Sequence, residues 1–211
     1  MGSCVTITVA ADDRSLLTLD ELRGAVGIEA GKDDAGLRRI GDRVAAAFAS
    51  VCGVRAVPPV PPTFRAESLS EQLDLECGFE RIYLARLPVT SIASITENGT
   101  VLAAEDWQLE PGTGRLERRV GGRLSTWRPG VVTVVYQAGW AIVPDDLKLA
   151  AEMMAGLLWS GSSSAGRDPY LKRERIEGAT ELEYWVPPGS DPLLIAKISD
   201  LLVPYTVASW G

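Results

Sequence analysis

The sequence contains no histidine among its 211 residues. That absence excludes Ser-His-Asp and Cys-His catalysis, in which an imidazole moves the proton. It also excludes every metal site that needs an imidazole ligand. We therefore expect no enzyme activity, no cofactor and no metal site.

Cysteine is scarce, and long apolar runs are missing. Cys4, Cys52 and Cys77 are widely spaced and form no CxxC, which predicts buried free thiols in a reducing compartment. No apolar run reaches the roughly 18 residues of a membrane span. The first fifteen residues also lack the basic and apolar parts of a secretory signal. We expect no membrane partner.

The first six residues, MGSCVT, fit the loose pattern for myristoylation, and Cys4 could accept a palmitoyl group. No polybasic stretch follows, and a single acyl chain binds membranes only marginally. Short motifs of this kind match by chance, so we favour an unmodified N-terminus.

The charge that is present is mostly negative, with a net charge of −7. This argues against a protein that grips nucleic acid by neutralising many phosphates. It is compatible with a surface that DNA passes without sticking. The acidic pairs at 33–34 and 145–146 stand at predicted helix starts, where capping explains them better than acid–base catalysis.

Hydrophobic periodicity divides the chain into four parts. We predict an N-terminal segment over 1–15, a core domain over 16–159, an extended loop over 160–190, and a C-terminal helix with a tail over 191–211. The core domain has helices at 18–27 and 33–52, a stiff Pro-rich connector at 57–62, strands within 64–137 and a helix at 144–159. The fold class we predict is α+β. Two N-terminal helices, one central helix and the short C-terminal helix form a helical core, with a small antiparallel β-sheet and a hairpin insertion.

Local signals support several of these elements. Thr18 and Glu21 have the spacing of a capping box, and Leu37, Ile40, Val44, Phe48 and Val51 would form one buried helix face. Asn98-Gly99 is a strong signal for a type I′ hairpin. The apolar run VVTVVY at 131–136 predicts a strand covered on both faces.

A sharp strand-to-helix corner follows this run. Gly139 lets the chain turn, and Trp140 anchors the bend. Pro144 and Asp145 then suit the start of a helix. The corner has the outline of an active-site elbow but contains no nucleophile, so we assign it a structural role.

The C-terminal tail allows two interpretations. Tyr205 and Trp210 could fold back onto the core of their own domain. Alternatively, an amphipathic terminal helix with an aromatic tail could dock into another protein, where aromatic residues are often binding hot spots. The six scattered tryptophans are better explained as core anchors than as a base-stacking platform, because no basic groove accompanies them.

Several stretches together resemble the head–tail connector, or adaptor, proteins of long-tailed bacteriophages and gene transfer agents. The stretches are TLDEL at 18–22, SVCG at 50–53, LPVTSIASITENGTVL at 87–102, YQAGW with VPDDLKLA at 136–150, and ISDLLVPY at 198–205. The resemblance runs from about residue 16 to residue 205, and the corner is its most specific part.

The resemblance implies a non-enzymatic subunit of a homo-oligomeric, twelve-fold ring at the head–tail interface of a virion or phage-like particle assembled in the bacterial cytoplasm. Its partners would be the portal protein, a downstream stopper or tail protein, and double-stranded DNA that passes through the lumen without sequence-specific binding. The portal-binding residues it implies are Leu194, Ile198, Leu201, Leu202, Tyr205 and Trp210.

Two other functions stay open from the sequence. One is a tail-completion or terminator protein at another level of the same particle. The other is a small enzyme that uses paired carboxylates, which would need two of them to converge in a pocket.

Overall fold

The computed structural model describes residues 2–163, 173–174, 182–183 and 192–206. Its helices are α1 Leu19–Val26, α2 Asp34–Val51, α3 Asp145–Ser163 and α4 Pro192–Leu202. Its strands are β1 Gly2–Val9, β2 Glu67–Leu75, β3 Arg81–Tyr83, β4 Val89–Glu97, β5 Thr100–Val101, β6 Trp107–Glu110, β7 Arg115–Val120, β8 Arg123–Ser125, β9 Gly130–Ala138, β10 Arg173–Glu174 and β11 Leu182–Glu183. Two 3-10 turns, Ala104–Asp106 and Val203–Tyr205, complete the described elements.

The chain divides into two compact units. Unit 1 contains the segments 2–14 and 49–143, and unit 2 contains 15–48 and the described residues of 144–206. All strands from β1 to β9 therefore belong to unit 1, whereas α1, α3 and α4 belong to unit 2. The division at 143–144 passes through the predicted corner.

Unit 1 is built on a five-stranded antiparallel sheet in the order β1-β2-β9-β4-β5. The β-branched run of β9 places it in the middle, with β2 and β4 on its two sides. Its side chains alternate: Val132, Val134 and Tyr136 are buried, whereas Val131 is 40% exposed. The prediction of a strand covered on both faces is therefore wrong, because an antiparallel sheet can leave one face open to solvent.

A second antiparallel sheet of unit 1 has the order β3-β7-β6, and β8 pairs with the outer part of β7. Leu116 and Trp127 are completely buried, in one hydrophobic cluster with residues of the first sheet. The indole Nε1 of Trp127 donates a hydrogen bond of 3.2 Å to the carbonyl oxygen of Leu116. This bond satisfies the polar atom of the buried indole, so Trp127 serves as a core anchor.

The predicted fold class is wrong in its central point. Nine strands in two antiparallel sheets, rather than a helical core with a small sheet, form the main architecture of the described chain. The segment 1–15, for which no strand was predicted, contains β1, which pairs with β2 at the edge of the first sheet. The strands predicted within 64–137 are present, but they build two sheets rather than one small sheet.

Tight turns connect these strands, and two of them test sequence predictions. Asn98 and Gly99 both have positive φ and join β4 to β5, which confirms the predicted two-residue hairpin. The segment 57–60 is also a turn, closed by a 3.0 Å hydrogen bond from the amide of Val60 to the carbonyl of Val57. The predicted stiff connector is therefore wrong here, because an extended polyproline helix has no internal hydrogen bonds.

The caps at the N-termini of the unit 2 helices agree with the predictions made from the sequence. The capping box at α1 is confirmed: the amide of Glu21 donates to Thr18 Oγ1 at 3.3 Å, and the amide of Thr18 donates to Glu21 Oε2 at 2.7 Å. At α2, the amide of Gly36 donates to the side chain of Asp33 at 3.2 Å. Local polar side chains thus satisfy amides that the helix leaves free.

The guanidinium group of Arg23 joins α1 to α2 through two hydrogen bonds. Nε and Nη2 of this arginine bond the two carboxylate oxygens of Asp34 at 3.1 and 2.6 Å. These hydrogen bonds lower the pKa of Asp34 below its ordinary value. The paired geometry also fixes the relative orientation of the two helices.

Two helices differ in extent from their predictions. The buried face of α2 includes Leu37, Ile40, Val44 and Phe48, but Val51 is 70% exposed and does not belong to it. Helix α3 continues to Ser163, four residues beyond its predicted end, because serine and glycine weaken a helix without breaking it.

The three cysteines are thiols that form no disulfide. Cys52 is buried, as predicted, and burial raises the pKa of its thiol. Cys4 and Cys77 are exposed, so the prediction of buried thiols is wrong for these two. An antiparallel edge strand directs Cys4 to its open face, which the sequence alone did not reveal.

Candidate assembly surfaces

A network of buried charged groups holds the first sheet of unit 1 together, and it was not predicted. Arg86 is 2% exposed and donates from Nη2 to Glu67 Oε2 at 3.0 Å and to the carbonyl of Thr63 at 2.8 Å. Its Nη1 donates to the carbonyl of Arg55 at 3.1 Å, and Arg14 donates to the other oxygen of Glu67. Burial lowers the pKa of Arg86, and the charge of Glu67 opposes that effect.

Glu71 lies four residues after Glu67 on the same face of β2 and has a different set of partners. Its Oε2 accepts from the Tyr136 hydroxyl at 2.8 Å and from the amide of Ala85 at 2.9 Å. Its Oε1 accepts from Ser3 Oγ at 2.7 Å. Burial raises the pKa of Tyr136, and the neighbouring charge of Glu71 raises it further. The carboxylate thereby connects β1, β2 and β9.

A third buried carboxylate joins the two sheets of unit 1. Glu97, at the end of β4, accepts from Arg118 Nε in β7 at 3.1 Å and from the amide of Arg128 at 2.9 Å. Arg118 also donates to the carbonyl of Asp106 at 2.9 Å. Both oxygens of Glu67, Glu71 and Glu97 therefore accept hydrogen bonds from the protein, as buried structural carboxylates do. This geometry does not supply the free carboxylate pair that the enzyme hypothesis needs.

The first half of the predicted corner is tightly packed in unit 1. Gly139 has φ +101°, and its amide donates to the carbonyl of Pro88 at 2.9 Å. A Cβ at this position would lie 2.4 Å from the carbonyl oxygen of Arg65, so only glycine fits. The amide of Trp140 donates to the carbonyl of Phe64, and its carbonyl accepts the amide of Ala66, just before β2; the Trp140 and Phe64 ring centroids are 5.9 Å apart.

The second half of the corner begins unit 2. Pro144 directly precedes α3, and its carbonyl accepts the amide of Lys148 at 3.0 Å. Asp145 is the first residue of the helix and is exposed. Lys148 Nζ pairs with Glu21 of α1 at 2.7 Å. The start of α3 is therefore held within unit 2, and its acidic residues favour the helix N-terminus.

The residues predicted to bind the portal do not form one exposed surface. Ile198 and Leu202 are buried, because α4 packs against α3. Leu201 is half-buried, the side chain of Leu194 lies outside the described residues, and so does the whole of Trp210. The predicted loop at 160–190 is described only to Ser163 and in the short pair β10–β11.

Tyr205 is half-buried at the end of α4, and its hydroxyl donates to the carboxylate of Asp146 in α3. Burial and this hydrogen bond raise the pKa of the tyrosine. The aliphatic side chains that face solvent nearby are Ile195, 43% exposed, and Val203, 62% exposed. The sequence pattern predicted that α4 has an apolar face, but the buried residues of that face pack within unit 2.

A two-stranded ribbon at the end of β7 and β8, which we call the arginine ribbon, comprises residues 119–124. Arg119 pairs with Leu124 and Val120 pairs with Arg123 across the strands, with Gly121-Gly122 at the tip. Strand β6 pairs with β7 only as far as Arg118. Val120 is 55% exposed and Leu124 is 51% exposed. Its sequence signal is the density of arginine over 115–128, where five arginines accompany one glutamate.

Two other kinds of feature are absent from the part of the chain that the structure describes. No group of three or more Cys, Asp or Glu side chains is placed to hold a metal ion there. No helix in the described ranges is long and apolar enough to cross a membrane.

Comparison with solved structures identifies the fold. The chain is similar to one in the neck of an empty gene transfer agent (GTA) particle, computed with C6 symmetry, with a TM-score of 0.55 and 20% identity over 94% of both chains. It is similar to a chain in the neck of a native GTA particle, computed with C12 symmetry, with a TM-score of 0.53 and 20% identity over 94% of both. It is also similar to a chain in the virion of a native GTA particle, with a TM-score of 0.53 and 19% identity over 93% of this chain and 94% of the other.

The chain shares the fold of these particle proteins. No protein-family model matches the sequence, and no curated protein matches it.

Proposed function

We propose that the chain is a structural subunit of the head–tail neck of a gene transfer agent or long-tailed phage particle, and specifically an adaptor. Copies form a ring, twelve-fold in the simplest case, that binds the portal, extends the DNA channel and gives the next stopper or tail protein a docking surface. Assembly takes place in the bacterial cytoplasm. The observation that carries the proposal is the fold likeness to GTA neck chains over 94% of both partners.

Two properties of the chain support this function. Its net charge of −7 suits a channel wall that repels DNA rather than holding it. Its buried carboxylates are fully hydrogen-bonded and stabilise a rigid sheet, which suits a structural subunit.

The packing of α4 changes which residues we assign to the portal contact. Ile198 and Leu202 support the helix from within unit 2, whereas Ile195 and Val203 remain exposed. Exposed aliphatic residues next to a terminal segment are suited to insertion into an apolar groove of a partner. The portal contact therefore uses Ile195, Val203 and the tail that carries Trp210.

Portal capture tests this assignment with a matched pair of variants. Ile195→Asp in α4 and Leu158→Asp in α3 change residues with nearly the same exposure, 43% and 42%. We expect the full-length Ile195→Asp protein to lose binding to the portal of its own particle, because a charge would be buried in an apolar contact. Leu158→Asp should keep it. Circular dichroism confirms that both variants are folded.

Electron microscopy of the wild-type protein mixed with that portal tests the function as a whole. A ring on the portal is expected. If the protein instead caps isolated tail tubes and ignores the portal, it acts as a terminator at another level of the particle, and the adaptor proposal is wrong.

A further inference from the structure

The arginine ribbon is a basic and largely exposed element of an acidic chain. It contains Arg119 and Arg123 and no acidic residue, whereas the whole chain has a net charge of −7. Arg123 is exposed, and Arg119 Nη1 donates to the carbonyl of Gly122 at 3.3 Å, which supports the turn. The exposed side chains of Val120, Arg123 and Leu124 present both positive charge and apolar surface to solvent, and that combination points to a partner.

The distribution of side chains indicates the class of partner. Cross-strand neighbours share a face of a ribbon, so Arg119 lies beside Leu124 on one face, and Val120 beside Arg123 on the other. Each face thus combines one cation with one aliphatic side chain that is about half exposed. Phosphate contacts need the cations alone, whereas a protein surface that is both acidic and apolar would use both kinds of side chain.

The same chain carries the complementary charge in unit 2. The segments 15–48 and 144–206 contain 16 acidic and 11 basic residues, which leaves a net charge of −5. Exposed aspartates occur on both α3 and α4, at Asp145 and Asp200. The aliphatic side chain of Leu149, one turn after Asp145 on α3, is also exposed. Unit 2 therefore offers both properties that the ribbon requires.

We propose that the arginine ribbon docks onto the α3–α4 surface of unit 2 in a second copy of this chain. A ring that closes by rotation needs two different, mutually complementary patches on each subunit. The ribbon in unit 1 and the acidic surface in unit 2 are such a pair. This inference rests on the proposed ring and names the contact that holds neighbouring copies together.

Charge reversal in the full-length protein tests the contact. Arg123→Glu replaces attraction by repulsion, and we expect it to weaken self-association by about tenfold, both alone and on the portal. Arg39→Glu is the matched control, because Arg39 is also exposed and lies on α2. Light scattering across a range of NaCl concentrations reports the oligomer, and salt should weaken the wild-type assembly. Adding Asp145→Lys and Asp200→Lys to the Arg123→Glu chain should restore assembly.

The possible results separate the inference from the function on which it rests. If wild type assembles and Arg123→Glu assembles equally well, the ribbon contact is wrong and the ring stands. Equal losses in Arg123→Glu and Arg39→Glu would show an unspecific charge effect and would also overturn it. If Arg123→Glu still forms the ring but loses binding to labelled double-stranded DNA, the ribbon contacts DNA and the proposed contact between copies is wrong. If wild type forms no ring even with the portal, the proposed function fails and the inference falls with it.

Discussion

Replacing Gly139 by alanine should destabilise unit 1 more than the same change at any open turn. The new Cβ would lie 2.4 Å from the carbonyl oxygen of Arg65 and 2.9 Å from that of Phe64. Both are backbone atoms, so a side-chain rotation cannot relieve the collision. The segment that leads into β2 must move away from the corner.

The cost has two parts. A residue other than glycine at φ +101° costs about 1–2 kcal/mol in backbone strain. Moving the segment also breaks the bonds from Trp140 N to Phe64 O at 2.8 Å and from Ala66 N to Trp140 O at 3.1 Å. Each is worth about 1 kcal/mol. We expect the free energy of unfolding to fall by roughly 3–4 kcal/mol, a large effect for one methyl group.

Gly99→Ala is the matched control for this prediction. Gly99 also has positive φ, at +81°, but a Cβ there meets nothing within 4 Å. Its cost should be the strain alone, about 1 kcal/mol. Guanidinium unfolding followed by tryptophan fluorescence measures both variants, and Trp127 reports on unit 1. If Gly139→Ala costs no more than Gly99→Ala, the close approach at the corner does not constrain the sequence, and our reasoning is refuted.

Three further predictions concern pH and capping. Because the folded pKa of Tyr136 lies above its ordinary value of 10, stability should fall as pH rises past 10, and Tyr136→Phe should reduce that fall. The folded pKa of Asp34 lies below its ordinary value of 3.8, so the pairing with Arg23 stabilises the folded state above that pH and this stabilisation is lost at lower pH. The Arg23→Met variant should therefore show a stability that depends less on pH in the acid range. Thr18→Ala should cost about 1 kcal/mol through the lost cap of α1.

Each of these predictions has a contrary result. Wild-type stability that stays level from pH 9 to 12 would contradict the burial of a neutral Tyr136. If the stability of Arg23→Met falls with decreasing pH in the same way as that of wild type, other carboxylates control acid unfolding. A serine at position 18 should behave as wild type, since its hydroxyl can also cap; a Thr18→Ser protein as unstable as Thr18→Ala would remove the cap as the cause.

The elements that the sequence predicted well depend on neighbouring residues. The capping box needs only Thr18 and Glu21, and the hairpin turn needs only Asn98 and Gly99. Such signals act within one turn of chain, so a single sequence contains all the information they require.

The network of buried charges could not be predicted in this way. Glu71 and Tyr136 are 65 residues apart, and only the order of the strands brings them together. In a single sequence, a glutamate within a strand pattern looks like a solvent-facing residue. The partners that make its burial tolerable become visible only in three dimensions.

The apolar face of α4 shows a second limit. Residues at three- and four-residue spacing predict that a helix buries one face, but not what covers it. Ile198 and Leu202 were predicted to meet another protein, and the structure places them within their own unit. Ile195 fits the same apolar spacing, three residues before Ile198, yet its side chain is 43% exposed, which the spacing alone does not predict.

The position of β9 in the middle of the sheet has a consequence for biosynthesis. Strand β2 pairs with β1 on one side and with β9, residues 130–138, on the other. A ribosome must therefore deliver about two thirds of the chain before the sheet can close. Until then β1 and β2 form only a hairpin-like pair with a long intervening segment, which is marginal in water. Folding of unit 1 should consequently be slow and largely post-translational, and nascent chains that stall before residue 130 should depend on chaperones.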